Sequence, residues 1–256
     1  MELNQMKRRV IFFLAAMIIA LAAAPGLCES MATIQLSDDC CTVPEQGVTV
    51  EGSTVTILQP GEYLVSGSLS DGQLAVDCAV DGKVVLWLNG VRIHHETGPA
   101  IFIGECKPRV VISLVDQSEN ELSNGSQLIF TDGDEPNGTI FSRSDLTISG
   151  NGALMVTSGA MDAIVSKDDL RIEGGVLNIH AARHGIRGKD AVEISCGDLT
   201  IEAGQDGIKS TNSKEAEWGY LRLTGGVIRI LCGDDALDYE TTCTISGAEL
   251  QIELKK

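Results

Sequence analysis

Residues 145–164 read DLTISGNGALMVTSGAMDAI, and the same pattern returns as DLRIEGGVLNIHAARHGI at 169–186 and AVEISCGDLTIEAGQDGI at 191–208. A fourth copy, YLRLTGGVIRILCGDDAL, occupies residues 220–237, and a partial copy follows at 243–252. Each copy contains short segments in which apolar and polar residues alternate, the pattern of a strand with one buried face. The repeat therefore decides the fold class.

The spacing of the copies indicates a stacked architecture. The corresponding apolar positions Leu146, Leu170, Val192 and Leu221 are separated by 24, 22 and 29 residues. A period in the low twenties with several strands per period is typical of repeat proteins. Glycines fall between the segments, where turns favour positive φ, and no amphipathic helix fits the pattern. The sequence therefore predicts an all-β parallel β-helix, a solenoid of three strands per repeat.

Composition and charge limit the function classes. The chain has 256 residues with 28 glycines and only 4% aromatics, which suits a core of stacked aliphatic rows. The formal net charge is −17 and the isoelectric point is about 4.5. Such a charge argues against nucleic acid and against anionic membrane surfaces as partners. It is compatible with cation binding or simply with solubility.

The N-terminus has the features of a secretory signal. Lys7, Arg8 and Arg9 precede an apolar run at residues 10–24 that is short for a membrane span. We therefore predict a signal peptide at residues 1–30 and a secreted, extracellular protein without a membrane anchor. Residues 31–256 are predicted to form a single domain, with irregular N-terminal coils and a cap at 31–140 and regular coils at 141–256.

The cysteines leave two interpretations open. The chain has eight cysteines, and export would permit disulfides. However, Cys196, Cys232 and Cys243 occupy positions that hold apolar or small residues in neighbouring copies, which favours buried free thiols. No CxxC spacing for a metal is present.

Aligned acidic residues predict a calcium site. Asp162, His184, Asp206 and Asp235 occupy one column of the repeat, and strands stacked about 4.8 Å apart would make them neighbours. Calcium binds several carboxylate oxygens at about 2.3–2.6 Å. We therefore expect the metal ligands to be the four aspartates that cluster where the third and fourth copies meet, Asp206, Asp234, Asp235 and Asp238. The alternative is an acidic turn screened by water and salt.

Cationic and aromatic residues nearby are candidates for ligand binding. Lys209 lies three residues after Asp206 of the acidic column, and Arg187 occupies the equivalent position in the preceding copy. The two cations could contact an acidic polymer, or they could only neutralise neighbouring aspartates. Lys209 could also be the base of a β-elimination, but a base needs a lowered pKa and nearby aspartates would raise it. Trp218 and Tyr220, in an insertion of the fourth copy, could stack on sugar rings or cover the insertion.

Several motifs, taken together and in order along nearly the whole chain after the signal, resemble the clostridial carbohydrate-binding-domain family. These motifs are PGEYLVSGSLSDGQ at 60–73, LNGV at 88–91, SENEL at 118–122, SKDDL at 166–170, GKD at 188–190 and DGIKSTN at 206–212.

The resemblance implies a single-stranded right-handed parallel β-helix like that of polysaccharide lyases. It also implies binding of plant cell-wall polysaccharide, both cellulose and polygalacturonate, calcium sites like those of family-nine pectate lyases, and no demonstrated catalysis. This sequence differs from the family pattern at two places. His184 stands where an acidic residue is expected, and Met161-Asp162-Ala163 stands where the family has Gly-Asp-Gly.

Three functions remain open from the sequence. The first is a secreted, calcium-dependent carbohydrate-binding protein. The second is a pectate-lyase-like enzyme in which Lys209 would be catalytic. The third is a structural surface protein in which calcium only stiffens the fold.

Overall fold

A computed structural model describes residues 31–104, 106–133 and 135–255. The predicted signal peptide at residues 1–30 lies outside the described residues. The strands are β1 (Ala32–Leu36), β2 (Val48–Glu51), β3 (Thr54–Ile57), β4 (Gly61–Leu69), β5 (Gln73–Val76), β6 (Val84–His95), β7 (Ile101–Ile103), β8 (Val110–Leu114), β9 (Glu119–Asn124), β10 (Gly138–Ser142), β11 (Leu146–Gly150), β12 (Ala153–Ser158), β13 (Asp162–Ser166), β14 (Asp169–Ala181), β15 (Ile186–Gly188), β16 (Ala191–Ala203), β17 (Ile208–Ser210), β18 (Tyr220–Leu223), β19 (Val227–Cys232), β20 (Leu237–Asp238), β21 (Cys243–Ile245) and β22 (Glu249–Leu254).

The strands form two sheets in which nearly every pair is parallel. The second, nine-stranded sheet has the order β2-β3-β5-β7-β10-β13-β15-β17-β20, and the remaining strands form a 13-stranded first sheet. The pair β2–β3 is antiparallel. Because β10 spans the predicted internal boundary at residue 140, strands from both sides of that boundary belong to the same sheet.

The register between strands follows the sequence repeat. Leu146 pairs with Leu170, Leu170 with Val192, and Val192 with Leu221. The unequal spacings of 24, 22 and 29 residues therefore come from connections of different length, while the paired positions stay aligned. This confirms the alignment of the repeat copies.

The prediction of an open right-handed parallel β-helix is wrong. The chain is all-β, but the first sheet closes on itself: β6, β8, β11, β14, β12 and β9 form a hydrogen-bonded circuit, a six-stranded parallel barrel with further strands attached. This circuit closes because two of its strands, β6 and β14, are long enough to pair with two neighbours each. β6 pairs through its first part with β8 and through its last part with β9, and β14 pairs in the same way with β11 and β12.

Glycines let these long strands bend without ending. Gly175 lies inside β14 with φ of 89°, and Gly90 lies inside β6 with φ of 73°. Both positions fall at irregularities of the register. The sequence pattern assigned such glycines to turns between strands, and the same positive φ here produces a bend within one strand. This is the physical reason for the wrong prediction.

The core is a series of aliphatic rows. Ile148, Ile172, Ile194 and Leu223 occupy equivalent positions and are all fully buried. Burying each such side chain contributes about 1.5–3 kcal/mol. The described aromatic pair is Phe102 and Phe141, whose rings stack with centroids 6.0 Å apart. The expectation of stacked aliphatic rows is confirmed.

The seven described cysteines are all free thiols. Cys232 is buried and Cys243 is half-buried, as the repeat alignment favoured, whereas Cys196 is exposed because it lies at the bulge between β14 and β16. Among the described residues, no helix is long and apolar enough to cross a membrane.

Candidate metal and ligand site

The polar column predicted from the repeat is present at the start of the strands of the second sheet. The backbone N–H of His184 donates to Asp162 Oδ1 at 3.3 Å, and the N–H of Asp235 donates to Asp206 Oδ1 at 3.2 Å. Each acidic side chain therefore accepts a hydrogen bond from the backbone of the next copy. These bonds fix the direction of Asp162 and Asp206, which are both buried.

Three of the predicted metal ligands come together. One carboxylate oxygen from each of Asp206, Asp234 and Asp235 lies within 4.8 Å of the other two. Two oxygens that bind one calcium ion at about 2.4 Å are at most about 4.8 Å apart. Asp206 is buried while Asp234 and Asp235 are exposed, so one side of the cluster is fixed and the other is open to solvent.

The fourth predicted ligand, Asp238, is held by Lys209. The Lys209 ammonium donates to Asp206 Oδ2 at 2.7 Å and also binds Asp238. Partial burial lowers the pKa of Lys209, but the hydrogen bonds to Asp206 and Asp238 outweigh this effect, so the pKa is raised. A lysine held in its charged form is a poor base, so the geometry does not support Lys209 as the base of an elimination.

Asp206 remains ionised in this arrangement. Burial alone would raise the pKa of its carboxyl group. The hydrogen bonds from Lys209 and from the backbone of Asp235 more than offset this, and the pKa is lowered. The carboxylate at the centre of the site is therefore negatively charged, and a metal ion that binds it competes with Lys209.

His184 is a neutral hydrogen-bonding residue in the column. Burial lowers its pKa more than the neighbouring Asp162 and Asp206 raise it. Its Nδ1 lies 3.1 Å from Asp206 Oδ2, and its Nε2 lies 3.3 Å from a guanidinium nitrogen of Arg183. With the proton on Nδ1, the ring donates to Asp206 Oδ2 and accepts from Arg183 at Nε2. The backbone N–H of Asp206 also lies 3.3 Å from Nδ1 and can donate to it only in the other tautomer. His184 thus positions Asp206.

Arg187 lies beside Lys209 and lines a cationic pocket. The two residues are register partners on β15 and β17. Arg187 Nη2 lies 3.0 Å from Asp162 Oδ2 as an ion pair without hydrogen-bond geometry, and it donates a hydrogen bond to Asn137 Oδ1 at 2.8 Å. The adjoining pocket measures about 150 Å³, and its lining contains no acidic residue: Ser166, Lys167, Arg187, Lys189, Thr211, Asn212, Ser213 and Lys214.

The two predicted aromatic residues differ in their surroundings. Tyr220 begins β18 in the first sheet, where its hydroxyl donates to Glu193 Oε1 at 2.8 Å and its ring faces the Arg222 guanidinium at 4.9 Å. Trp218 is 41% exposed in the connection before β18. No contact between described residues places either ring in the cationic pocket. Tyr220 therefore lies on a different sheet from the Lys209–Arg187 pair, and the role of Trp218 stays a prediction.

A second polar ladder borders the pocket. Asn212 Nδ2 donates to Asp190 Oδ1 at 2.5 Å, and the side chain of Asp168 hydrogen-bonds to Asp190. Burial, together with the charges of Asp145 and Asp190, raises the pKa of Asp168 to about 6. One proton shared between Asp168 and Asp190 relieves the repulsion between stacked carboxylates.

Comparison with known proteins gives the family. Residues 51–256 match the family described as carbohydrate-binding domain-containing protein. The chain belongs to this family. A carbohydrate-binding domain-containing protein of Acetivibrio thermocellus is 40% identical over 210 residues, which cover 81% of this chain and 73% of that protein.

A solved structure is also similar to this carbohydrate-binding domain protein. It is described as a polysaccharide lyase-like protein from C. thermocellum, in a gadolinium derivative. The two are 34% identical with a TM-score of 0.79, over 88% of this chain and 96% of that one. Every residue of the acidic cluster and of the pocket falls inside the stretch that matches the family.

Sequence reasoning did not assign the pocket. Lys167 and Lys189 were visible as one column of the repeat, 22 residues apart, but the column could not show that Lys214 and Asn212 close around the same space. The loop that supplies Asn137 to Arg187 and Glu135 to Lys167 has no repeat partner. The two aligned lysines, Lys167 and Lys189, are the sequence feature from which a pocket for an anionic ligand could have been predicted.

Proposed function

We propose that this carbohydrate-binding domain protein binds polysaccharide in a calcium-dependent manner, with polygalacturonate or cellulose of plant cell walls as the ligand. The observation that carries the proposal is the convergence of Asp206, Asp234 and Asp235 beside a row of fixed cations, Lys209 and Arg187. Membership of the family supports the polysaccharide as the class of ligand.

The donor set suits calcium. Three carboxylates supply hard oxygens, and two of them are exposed enough to leave coordination positions for water or a ligand. Cysteine and histidine ligands of the kind zinc prefers are not part of the cluster. A bound calcium ion would neutralise part of the cluster and could be shared with an oxygen of the polysaccharide.

Local charge makes contact with an acidic polymer feasible despite the net charge of −17. A uronate carboxylate could be held by calcium at the cluster or by the Lys209–Arg187 row. At about 0.15 M salt, charges further than about 8 Å away are largely screened. The electrostatic attraction of the local cations for a uronate carboxylate is therefore stronger than the repulsion from the distant acidic surface.

The test compares calcium response and polysaccharide binding in matched variants. In wild type, calcium at about a hundredfold excess over its Kd adds about 2.7 kcal/mol of stability, which raises the melting temperature by about 5–10 °C. Asp235→Asn should lose most of this shift and should lose calcium-dependent retention on polygalacturonate gels and on cellulose.

The control is Asp198→Asn, which removes an equal charge from an exposed residue paired with Arg229 on the first sheet. This variant should keep the calcium response. If wild type melts at the same temperature with calcium and with chelator, the calcium proposal is wrong. If the protein is retained on neither polysaccharide in either condition, the proposed ligands are wrong.

A further inference from the structure

Two buried cysteines lie next to each other at one end of the second sheet. Cys78 follows β5 and Cys106 follows β7, and these two strands pair in parallel through Val76 and Ile103. The connections that leave them start about 4.8 Å apart, as neighbouring strands do. Cys78 is 7% exposed and Cys106 is 1% exposed.

The two thiols are close enough for each to affect the pKa of the other. The Cys78 thiol points at the carbonyl oxygen of Ile57, 3.9 Å from its sulfur. The Cys106 thiol in turn points at the carbonyl oxygen of Gly82, 3.7 Å from its sulfur. The backbone of Cys106 is fixed by a 2.8 Å hydrogen bond from its N–H to Ser144 Oγ. A disulfide needs two sulfurs facing each other on Cβ atoms about 3.8 Å apart. Two buried cysteines that follow paired neighbouring strands can reach this arrangement by rotating their side chains.

We propose that Cys78 and Cys106 form a disulfide bond when the chain folds in the presence of a low-molecular-weight disulfide. Each cysteine gives up its thiol hydrogen, and the two sulfurs together lose two electrons as one S–S bond forms. The oxidant gains the two electrons and two hydrogens as its own S–S bond breaks, so that oxidised glutathione leaves as two molecules of reduced glutathione. The two cysteines are 28 positions apart in the sequence, so the bond would enclose the 27 residues 79–105.

The bond has to form before the fold is complete. The thiolate is the reactive species in disulfide exchange. Burial, with a contribution from Cys106, raises the pKa of Cys78 to about 12. In the folded, reduced protein the pair is therefore both shielded from an oxidant and protonated. During folding the same thiols are solvated and reactive.

The experiment uses the full chain refolded from denaturant with oxidised glutathione. After blocking with N-ethylmaleimide and digestion without reduction, the expected product is a cross-linked peptide joining Cys78 to Cys106. As a matched sample, native reduced protein receives the same oxidant without unfolding. There Cys78 and Cys106 should remain thiols while the exposed Cys40 and Cys196 become glutathionylated.

Stability gives a second readout. Closing a segment of this length should raise the melting temperature of the oxidatively refolded wild type by about 5–10 °C over the reduced protein. Cys78→Ser and Cys106→Ser should each abolish this difference, and Cys232→Ser, at a buried thiol elsewhere, should keep it.

Recovery of Cys78 and Cys106 as separately blocked or glutathionylated peptides after oxidative refolding would overturn the proposal. So would a bridge from either residue to another cysteine. If a serine variant fails to fold, the peptide map of the wild type still decides.

Discussion

At the scale of single residues, Lys209 and a metal ion compete for the same carboxylates. Replacing Lys209 with Gln removes a positive charge from Asp206 and Asp238. We expect calcium affinity to rise about tenfold, since a unit charge a few ångströms from a divalent ion contributes about 1–2 kcal/mol. Without calcium, the variant should be less stable by about 1–2 kcal/mol because buried Asp206 loses its partner.

Calorimetric titration with calcium and urea unfolding in chelator measure the two effects. Lys83→Gln removes the same charge from an exposed residue and should change neither quantity. An affinity that falls in Lys209→Gln would mean that the lysine helps to hold the ion-binding side chains in place and does not compete with the ion.

Asp168 makes stability depend on pH. Its pKa is about 6 in the folded protein against an ordinary value of 3.8. Between these values the folded protein holds a proton that the unfolded chain has released. The stabilisation is therefore complete below about pH 4 and is lost as the pH rises through about 6. Asp168→Asn, which keeps a donor for Asp190, should stabilise the protein at neutral pH by about 1 kcal/mol after allowance for partial exposure.

Urea unfolding at about pH 5 and about pH 7 tests this sign. The variant should gain more at the higher pH. Asp116→Asn, at an exposed loop position, serves as the control and should gain nothing. A variant less stable than wild type at neutral pH would show that the ionised carboxylate is the stabilising form.

At the scale of elements, the bends in β6 and β14 can be compared directly. A Cβ at Gly90 would meet no atom within 4 Å, whereas a Cβ at Gly175 would come within 2.7 Å of Leu114 Cδ1. Both glycines have positive φ, so alanine at either position costs about 1–2 kcal/mol of backbone strain. Gly175→Ala should cost about 1 kcal/mol more because buried Leu114 must move.

Equilibrium unfolding of the two single variants provides the measurement. Because the backbone strain is common to both, the difference between them isolates the crowding at Leu114. Equal losses would show that the interior of β14 has room to adjust.

The same bends mark the limit of what the sequence could predict. The aliphatic positions repeat, so the register of Leu146, Leu170 and Val192 follows from counting. In the sequence, a glycine that ends a strand at a turn cannot be distinguished from a glycine that bends a strand. The continuity of β14 through Gly175 could therefore not be predicted. That continuity closes the first sheet and separates the observed fold from the predicted one.

The site was predictable to a similar degree. The column containing Asp206 and Asp235 followed from the repeat, as did the neighbouring position of Arg187 and Lys209. The engagement of Asp238 by Lys209 depends on side-chain direction, which spacing does not specify. Tyr220 was placed with the ligand residues because of its nearness in sequence, yet its strand belongs to the other sheet.

At the scale of the whole molecule, stability should fall toward the last strands. β14 pairs with β11, β12 and β16. Within the described part of the chain, β22 pairs only with β19, and its Ile252 and Leu254 are about half exposed. In hydrogen exchange, the amides of β22 that bond to β19 should exchange about a hundredfold faster than those of β14, a difference of roughly 3 kcal/mol in local opening.

Mass spectrometry of proteolytic fragments resolves the two regions. Peptides from β16, which also has neighbours on both sides, should behave like those from β14. Uniform exchange along the chain would indicate that the protein opens as one cooperative unit.

The longest spacing between aligned positions is the one from Val192 to Leu221, and all of its extra residues lie in the connection at residues 211–219. Register is kept on both sides of it, since Ile194 pairs with Leu223 and Ile208 with Leu237. The fourth copy therefore has a longer connection than its neighbours, and the strand register on both sides of it is unchanged. Protein engineers who graft peptides or randomise a binding loop could use its exposed residues 215–218. New side chains placed there would lie next in sequence to Ser213 and Lys214, which line the cationic pocket.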